Sequence, residues 1–379
     1  MHNMTIRPLT VVLLSFDFVE YCLRLGDALS HHATVILLLP EQQVGPHREL
    51  LKNVHCDVQL FHKPRLRQPR SQVAMIATLM RTIRVSKPDI LHIQQGHAWF
   101  NAALPLLAEF PLVMTVHDPK HHVGDREGQK HPQVLYDFGF RRASHVIVHS
   151  RDNKREVVDR LQYPVENIHV IPHIRLGNDS PPSEEMADNP VVLFFGRIWE
   201  YKGLAYLIRA EPLITSAVPN ARIVIAGQGE DFDRYRRMMV NPQHFTILNE
   251  YVSHDTRTEL FREAAVVVLP YIDASQSGVI PLAYSCAKPV VATTVGGLPE
   301  IVEHGRTGYL VPPRDENALA AAVVNLLQNP ARAREFGRNG QQKLRAECSQ
   351  EIIAEQTLAA YDITLSRRAV QVLGKAIDP

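Results

Sequence analysis

Residues 191–203 read VVLFFGRIWEYKG: five apolar residues, a glycine, and then Arg197, Lys202 and a second glycine. A short apolar run without alternating polar residues is typical of a strand buried on both faces of a parallel sheet. A glycine after such a strand lets the backbone approach a ligand, and the two cations can neutralise an anion such as a diphosphate. The stretch predicts a strand followed by a phosphate-binding turn, although a surface turn with two solvated cations has the same spacing.

The same alternation of short apolar runs and longer helical patterns continues along most of the chain. The predicted strands are Leu9–Leu14, Thr34–Leu39, Ile90–Ile93, Leu112–Val116, His145–Val148, Ile168–Ile171, Val191–Phe195, Arg222–Ala226, Phe245–Leu248, Ala265–Leu269 and Pro289–Thr293. The predicted helices include Val73–Arg84, Gln133–Arg141, Asn153–Leu161, Glu316–Gln328 and Ser349–Val370. This order predicts an α/β architecture. A polar stretch with two adjacent prolines, residues 175–189, predicts a linker between two domains, residues 1–174 and 190–348.

Composition narrows the classes of function. The 379 residues carry 41 Lys and Arg against 40 Asp and Glu, a formal charge of +1, which argues against a protein built to bind nucleic acid. The four cysteines (Cys22, Cys56, Cys286 and Cys348) have no short spacing, so they predict a reducing compartment rather than a zinc site or a disulfide framework. No apolar run is long enough for a spanning helix, and the expected location is cytoplasmic.

Two further stretches are candidates for binding. Residues 270–279 follow a predicted strand and precede a predicted helix at Val279–Cys286, so Ser275, Ser277 or Gly278 could cap that helix beside a phosphate. An ordinary helix cap would use the same residues. The basic stretch 62–70 has four cations and no acid, and it fits either an anionic membrane or lipid-diphosphate acceptor, or a solvated loop. Its cations are Lys63, Arg65, Arg67 and Arg70.

Dinucleotide and P-loop motifs are missing from the places where they would be expected. Asp17-Phe18-Val19, and not a glycine fingerprint, follows the first predicted strand, and Gly227-Gln228-Gly229 is only a fragment of one. No Gly-Lys-Ser/Thr triplet is present. An NAD-dependent enzyme and a P-loop ATPase are therefore disfavoured.

Three ordered motifs in the second half resemble the retaining glycosyltransferases of family 4. They are Gly196-Arg197 with Lys202-Gly203, then IVIAGQGE (223–230), then AKPVVATTVGGLPEIVEHGRTGYLVPP (287–313). Shorter N-terminal motifs, PDILHIQ (88–94), VMTVHDP (113–119), ASHVIVHS (143–150) and IHVIPH (168–173), follow the family's order. The resemblance implies the GT-B fold, in which two Rossmann-like domains face each other across a cleft. It also implies a nucleotide-sugar donor on the C-terminal domain, an acceptor on the N-terminal one, and a terminal helix, 349–379, that crosses back to the first domain.

Site residues follow from the resemblance position by position. It assigns Arg197 and Lys202 to the donor diphosphate and His117 to the part of the cleft near the transferred sugar, so these three are the predicted catalytic residues. A histidine at such a place is, by itself, more often a structural hydrogen-bonding group than a catalytic one. It places Glu250 in the loop beside the nucleotide base. The other positions assigned to the donor are Asp273, Gln276, Ser277, Gly278 and Val279. Glu300 is expected to be a carboxylate at a helix start rather than a catalyst.

Two departures from the family stand out. Ala274 and Leu282 occupy the places of two glutamates, the first of which contacts the sugar and the second the ribose hydroxyls. Asp273 or Gln276 is expected to replace the first, whereas the ribose is left without a clear partner.

The sequence thus predicts a retaining enzyme that transfers a sugar from a nucleoside diphosphate to a glycan or lipid-linked acceptor, in polysaccharide or glycolipid biosynthesis. By analogy with the family, the leaving diphosphate takes the acceptor proton, and no metal or other cofactor is required. The alternative is a non-catalytic GT-B subunit that acts as a binding or assembly partner, which the two lost glutamates would suit. A membrane contact through the basic stretch would place the protein at the inner face of the cell membrane.

Overall fold

The short apolar runs form strands, and the described part of the chain contains thirteen of them. The computed structural model describes residues 7–125, 132–179, 190–229 and 231–377, with side chains through residue 370. The strands are β1 (Thr10–Ser15), β2 (Thr34–Pro40), β3 (Asp57–Phe61), β4 (Ile90–Gln94), β5 (Leu112–Val116), β6 (His145–Val148), β7 (Ile168–Val170), β8 (Val191–Phe195), β9 (Arg222–Ala226), β10 (Phe245–Leu248), β11 (Ala264–Leu269), β12 (Val290–Thr293) and β13 (Gly308–Val311).

Helices connect these strands. They are α1 (Val19–Ser30), α2 (Glu41–Val44), α3 (Arg48–Lys52), α4 (Pro69–Ser86), α5 (Ala98–Ala103), α6 (Gln133–Arg142), α7 (Arg151–Leu161), α8 (Leu204–Ala217), α9 (Asp233–Arg236), α10 (His254–Glu263), α11 (Val279–Ser285), α12 (Leu298–Ile301), α13 (Glu316–Gln328), α14 (Pro330–Cys348) and α15 (Gln350–Ile377).

The strands make two parallel sheets. The first has the order β3-β2-β1-β4-β5-β6-β7 and the second the order β10-β9-β8-β11-β12-β13. In each sheet the first strand of the half lies inside, with neighbours on both sides: Leu13 pairs with Leu37 and with His92, and Leu193 pairs with Val224 and with Val267. The α/β prediction is confirmed, and the strand order reverses beside β1 and beside β8, which is where α/β sheets bind ligands.

Both faces of each sheet are buried, which explains why the strands lack alternating polar residues. In β1, Val12 and Leu14 pack into one core of the first sheet, whereas Val11 and Leu13 pack into the core on its other face. The second sheet has the same arrangement, and its buried residues pack in two clusters. This burial is the dominant favourable contribution to folding.

The last helix packs against the first sheet. Ile353, Ala354 and Tyr361 of α15 lie in the same core as residues of α1 and β1. The Tyr361 hydroxyl lies 2.6 Å from Nδ1 of the buried His92 in β4. The chain therefore crosses between the domains twice. Of the predicted linker at 175–189, residues 180–189 lie outside the described residues.

A buried ion pair also joins the two halves. Oε2 of Glu20, in α1, lies 3.0 Å from Nη1 of Arg257 in α10, and its Oε1 lies 3.1 Å from Nη2 of Arg24. The backbone N–H of Gly177 donates to the same Oε1 at 2.8 Å. Burial alone would raise the pKa of Glu20, but Arg257, Arg24 and this N–H lower it to about 2.

Helix α13 begins and ends where its apolar spacing predicts. Asp315 precedes it, and its Oδ1 accepts a hydrogen bond from the N–H of Ala318 at 2.9 Å. We expect Asp315→Ala to lower the free energy of unfolding by about 1 kcal/mol, because an orphan N–H at the helix start loses its acceptor. Urea denaturation measures this, and Asp315→Ser, which keeps a capping oxygen, is the control. Equal losses in the two variants would contradict a capping role.

Candidate functional site

A cleft of about 650 Å³ lies between the carboxyl ends of the two sheets. The N-terminal sheet contributes residues that follow β1, β4 and β5, and the C-terminal sheet contributes residues that follow β8 and β11. The lining residues used below are Asp17, Phe18, Lys63, Asp118, His122, Arg197, Tyr201, Lys202, Gln276, Ser277, Gly278, Val279 and Leu282. Parallel α/β sheets bind ligands at this edge, so the cleft is the candidate active site.

The turn after β8 brings Arg197 and Lys202 into the cleft. Gly203 ends this turn with a φ of +67°, and a Cβ there would lie 1.8 Å from the Pro270 carbonyl oxygen. Only glycine fits so close to a neighbouring backbone, and the contact holds the turn against the strand end of β11. The Arg197 side chain is exposed to the cleft, and its Nη2 lies 3.3 Å from the Tyr201 hydroxyl.

Lys202 has no ionic partner among the residues that the structure describes. Its Nζ lies over two aromatic rings, 3.9 Å from the centroid of Tyr271 and 4.9 Å from that of Tyr201. Within the described ranges, neither Lys202 nor Arg197 has a carboxylate within 4.0 Å. Burial, and then the neighbouring Arg197, lower the pKa of Lys202 to about 7. An anion bound between the two side chains would relieve this repulsion.

Residues 270–278, here called the donor loop, lie on the same side of the cleft as Arg197 and Lys202, in the C-terminal domain. Gln276, Ser277 and Gly278 line the cleft together with Val279, the first residue of α11. The Ser277 hydroxyl oxygen accepts from the Val279 N–H at 3.2 Å. Oε1 of Gln276 is buried and has no hydrogen-bond partner among the described residues, so it is available to a ligand hydroxyl.

Asp273 contacts a histidine of the N-terminal domain. Its Oδ2 lies 3.0 Å from Nδ1 of His122, a residue of the N-terminal half that is 4% exposed. Nε2 of the same ring lies 3.1 Å from Oδ1 of Asp118. Burial alone would lower the pKa of His122, but the hydrogen bonds to Asp118 and Asp273 raise it to about 9. The ring is therefore an imidazolium at neutral pH.

His117 lies behind the cleft wall. Its ring is completely buried and stacks on Phe18, with 3.7 Å between the ring centroids. Nε2 lies 2.8 Å from Oε1 of Gln94, and Nδ1 lies 3.1 Å from Nε2 of His149. Burial, and then the neighbouring histidines, hold the pKa of His117 well below its usual range, so the ring is neutral. Phe18 would have to move for this histidine to touch a ligand.

The remaining predicted residues take other places. Glu250 is exposed and does not line the cleft. Lys63 points into the cleft, where its Nζ donates to Oδ1 of Asp17 at 2.6 Å. The carboxylate balances the charge of the ammonium group there. The other basic side chains of that stretch, Arg65, Arg67 and Arg70, are exposed. Lys63 is thus a cleft residue and not part of an exposed basic surface.

Glu300 lies in α12 but caps the N-terminus of α7. It lies in the first turn of α12, and its two carboxylate oxygens accept from the backbone N–H groups of Arg151 (2.9 Å) and Asp152 (3.0 Å) at the start of α7. Since α7 belongs to the N-terminal half, this carboxylate contributes a further contact between the domains. The position favours a structural role, as expected for a carboxylate near a helix N-terminus.

Leu282 and Ala274 are both nearly buried. Leu282 packs in a cluster with the partly buried Leu176 at the start of the predicted linker, and part of it reaches the cleft. Neither side chain offers a hydrogen-bond acceptor to a ligand hydroxyl.

One group of side chains in the described residues has the geometry to hold a metal ion. Asp27, His31 and His55 each offer one ligand atom, and these atoms lie within 4.8 Å of one another. None of the three lines the cleft. Within the described ranges, no helix is long and apolar enough to cross a bilayer.

Sequence reasoning missed four residues of this site: Asp118, His122, Tyr201 and Tyr271. The segment HDPKHH, residues 117–122, holds a weak signal for two of them, because it concentrates an aspartate and three histidines directly after a predicted strand. The two tyrosines carry no signal in the sequence, since an aromatic residue near a strand is usually part of the core.

Comparisons with known proteins agree with this geometry. A family model described as Glycosyltransferase Family 4 matches residues 19–174, and one described as Glycosyl transferases group 1 matches residues 189–329. An uncharacterized glycosyltransferase of Methanocaldococcus jannaschii is 27% identical over 303 residues, which cover 74% of this chain and 77% of that protein. Glycogen synthase of Mycobacterium tuberculosis is 29% identical over 297 residues, which cover 74% and 70%.

Solved structures show the same fold. Sucrose-phosphate synthase from Thermosynechococcus elongatus superimposes with a TM-score of 0.72 at 20% identity, covering 95% of this chain and all of the other. Anabaena HepE in complex with UDP and glucose gives a TM-score of 0.72 at 20% identity, covering 93% and 99%. The GT-B prediction is confirmed. Because the two family models together match most of both halves in the expected order, the chain belongs to the family 4, group 1 glycosyltransferases.

Proposed function

We propose that this protein is a retaining glycosyltransferase that moves a sugar from a nucleoside diphosphate to a hydroxyl of a glycan or lipid-linked acceptor. The observation that carries the proposal is the pair Arg197 and Lys202, which face the cleft without a carboxylate partner among the described residues. Burial and the charge of Arg197 disfavour the ammonium form of Lys202, so holding the two cations together in the cleft costs the fold free energy. A bound diphosphate supplies the missing negative charge.

These two cations would also stabilise the diphosphate as it leaves the sugar. Negative charge builds up on the leaving group as the bond from the anomeric carbon to the phosphate oxygen lengthens, and fixed cations stabilise that charge more than they stabilise the ground state. The leaving oxygen takes the proton of the attacking acceptor hydroxyl on the same face of the sugar, which retains the anomeric configuration. With Arg197 and Lys202 as counter-charges, the proposal requires no metal ion, and activity should persist in EDTA.

Names of similar proteins suggest which donor to try first. The Anabaena neighbour was solved with UDP and glucose, and one relative is a glycogen synthase. We take a UDP-sugar as the first candidate donor for this chain. On the acceptor side, Asp17 and Lys63 offer a carboxylate and an ammonium group in contact with each other, a combination that can bind sugar hydroxyls.

Calorimetry against UDP-, GDP-, ADP- and dTDP-sugars tests the proposal. We expect one of them to bind with a Kd in the range of about 1 µM to 1 mM and to be hydrolysed slowly without an acceptor. Proton NMR of the first sugar released from an α-linked donor should show the α-anomer. If none of these nucleotide-sugars binds, the donor assignment is wrong. If the β-anomer is released first, the enzyme does not retain the configuration.

A further inference from the structure

The donor loop is anchored on the opposite domain. His122, from the loop that follows β5, contacts two of its residues: Nδ1 lies 3.0 Å from Oδ2 of Asp273, and Nε2 lies 3.3 Å from Oγ of Ser275. The loop is also tied to the turn after β8, because the N–H of Ile272 donates to the carbonyl oxygen of Tyr201 at 2.8 Å. The imidazole of His122 is therefore a bridge between the domains at the point where the donor loop begins.

The bridge depends on a protonated ring. A carboxylate accepts at each ring nitrogen, Asp118 at Nε2 and Asp273 at Nδ1, so both nitrogens must carry a hydrogen. Burial alone would raise the pKa of Asp118, but His122, then Arg197 and the Ser275 hydroxyl, lower it to about 2. One positive charge thus lies between a carboxylate of each domain, and the side chain that carries it is 5% exposed.

Tyr201 lies between the His122 ring and the two cations proposed to bind the diphosphate. His122 stacks on Tyr201, with 4.6 Å between the ring centroids and 20° between the planes. The hydroxyl of Tyr201 lies 3.3 Å from Arg197, and its ring lies under Nζ of Lys202. The two cations keep contacts of their own, since Arg197 and Lys202 both contact Tyr201 and Lys202 also lies over Tyr271, so the donor loop depends on residue 122 more than the diphosphate cations do.

We propose that His122 is a positioning residue: its bridge from Asp118 to Asp273 and Ser275 fixes the donor loop so that Gln276 faces the sugar of the bound donor. In this arrangement Asp273 holds the loop rather than the sugar, since one of its carboxylate oxygens is occupied by the imidazolium. Gln276, whose Oε1 is buried without a partner in the described part of the chain, is the amide left to contact the ligand. This inference rests on the proposed use of a nucleotide-sugar donor.

The test compares His122→Gln with Glu300→Gln. Each variant weakens one contact between the domains, but only the first touches the donor loop. By hydrogen exchange, which needs no ligand, His122→Gln should speed exchange of peptides that cover residues 270–278 by about ten-fold or more, while Glu300→Gln should leave them unchanged. His122→Lys, which restores a cation between the carboxylates, should recover part of the protection.

Calorimetry then distinguishes an effect on binding of the sugar from an effect on binding of the nucleotide. His122→Gln should bind the bare nucleoside diphosphate within about three-fold of the wild-type protein, but it should lose about ten-fold in affinity for the nucleotide-sugar. Unchanged exchange in the donor loop, or equal losses for both ligands, would overturn the positioning role. A wild-type protein that binds no nucleotide-sugar would refute the proposed function, and loop exchange would still decide whether His122 anchors the loop.

Discussion

Replacing Lys202 with methionine should lower kcat with the donor identified by calorimetry by about 100-fold or more. Methionine keeps much of the apolar stem but removes the charge that neutralises the leaving diphosphate. The loss should fall mainly on kcat, because the negative charge grows as the bond to the sugar breaks. Steady-state kinetics at saturating donor measures it, and full activity in the variant would remove Lys202 from the proposed mechanism.

Dependence on pH offers an independent check on the same residue. In the free protein the pKa of Lys202 is about 7, so the ammonium loses its proton as the pH rises through that value. We expect kcat/KM for the donor to fall above about pH 7, since this ratio reports ionisations of the free enzyme. Lys202→Arg, whose guanidinium stays charged, should abolish this fall even if its overall rate is lower.

A matched control comes from the N-terminal half. Lys154 in α7 is partly buried, and its Nζ donates to the carbonyl oxygen of Ile168. Lys154→Met removes a comparable charge without touching the cleft, and it should change kcat by less than about two-fold. A similar loss in both variants would point to a general effect on folding.

Local patterns were sufficient to predict most of the fold. Val191–Phe195, Arg222–Ala226 and Leu112–Val116 begin and end as predicted, because each is a mainly apolar run that is followed directly by a glycine or a polar residue. The edge strands β3 and β13 were missed. Their residues are more exposed and their sequences, DVQLF and GYLV, are short and mixed, so little in the local pattern separates them from loops.

The site was only partly predictable, because several of its contacts cross between the domains. Arg197 and Lys202 follow one strand, and the local sequence with the family resemblance identified them. The bridge of Asp118, His122 and Asp273 joins residues more than 150 positions apart in sequence, and no local pattern indicates such a pairing. The family resemblance implied that His117 lines the cleft, whereas Phe18, which lies far away in sequence, covers its ring.

Glu20 shows how strongly a contact between the domains can affect stability. Glu20→Gln should lower the free energy of unfolding by about 3–5 kcal/mol, because it leaves the cations Arg24 and Arg257 buried without their carboxylate. Arg24 is 5% exposed and Arg257 is 14% exposed at the side chain, so water cannot replace the lost partner. Glu303→Gln is the control: that carboxylate also pairs with two cations, Lys343 and Arg306, but it is 33% exposed and should cost less than about 1 kcal/mol.

Acid should erase the difference between wild type and Glu20→Gln. The pKa of Glu20 is about 2 in the folded protein and 4.5 without the fold, a lowered value that corresponds to about 3 kcal/mol of stability. This stability is present above pH 4.5 and disappears as the pH falls toward 2, because the carboxyl group then binds a proton in both states. Urea midpoints of both proteins at pH 7, 4 and 3 should therefore converge as the pH falls. A constant difference over this range would show that the ionised carboxylate is not the source of the stabilisation.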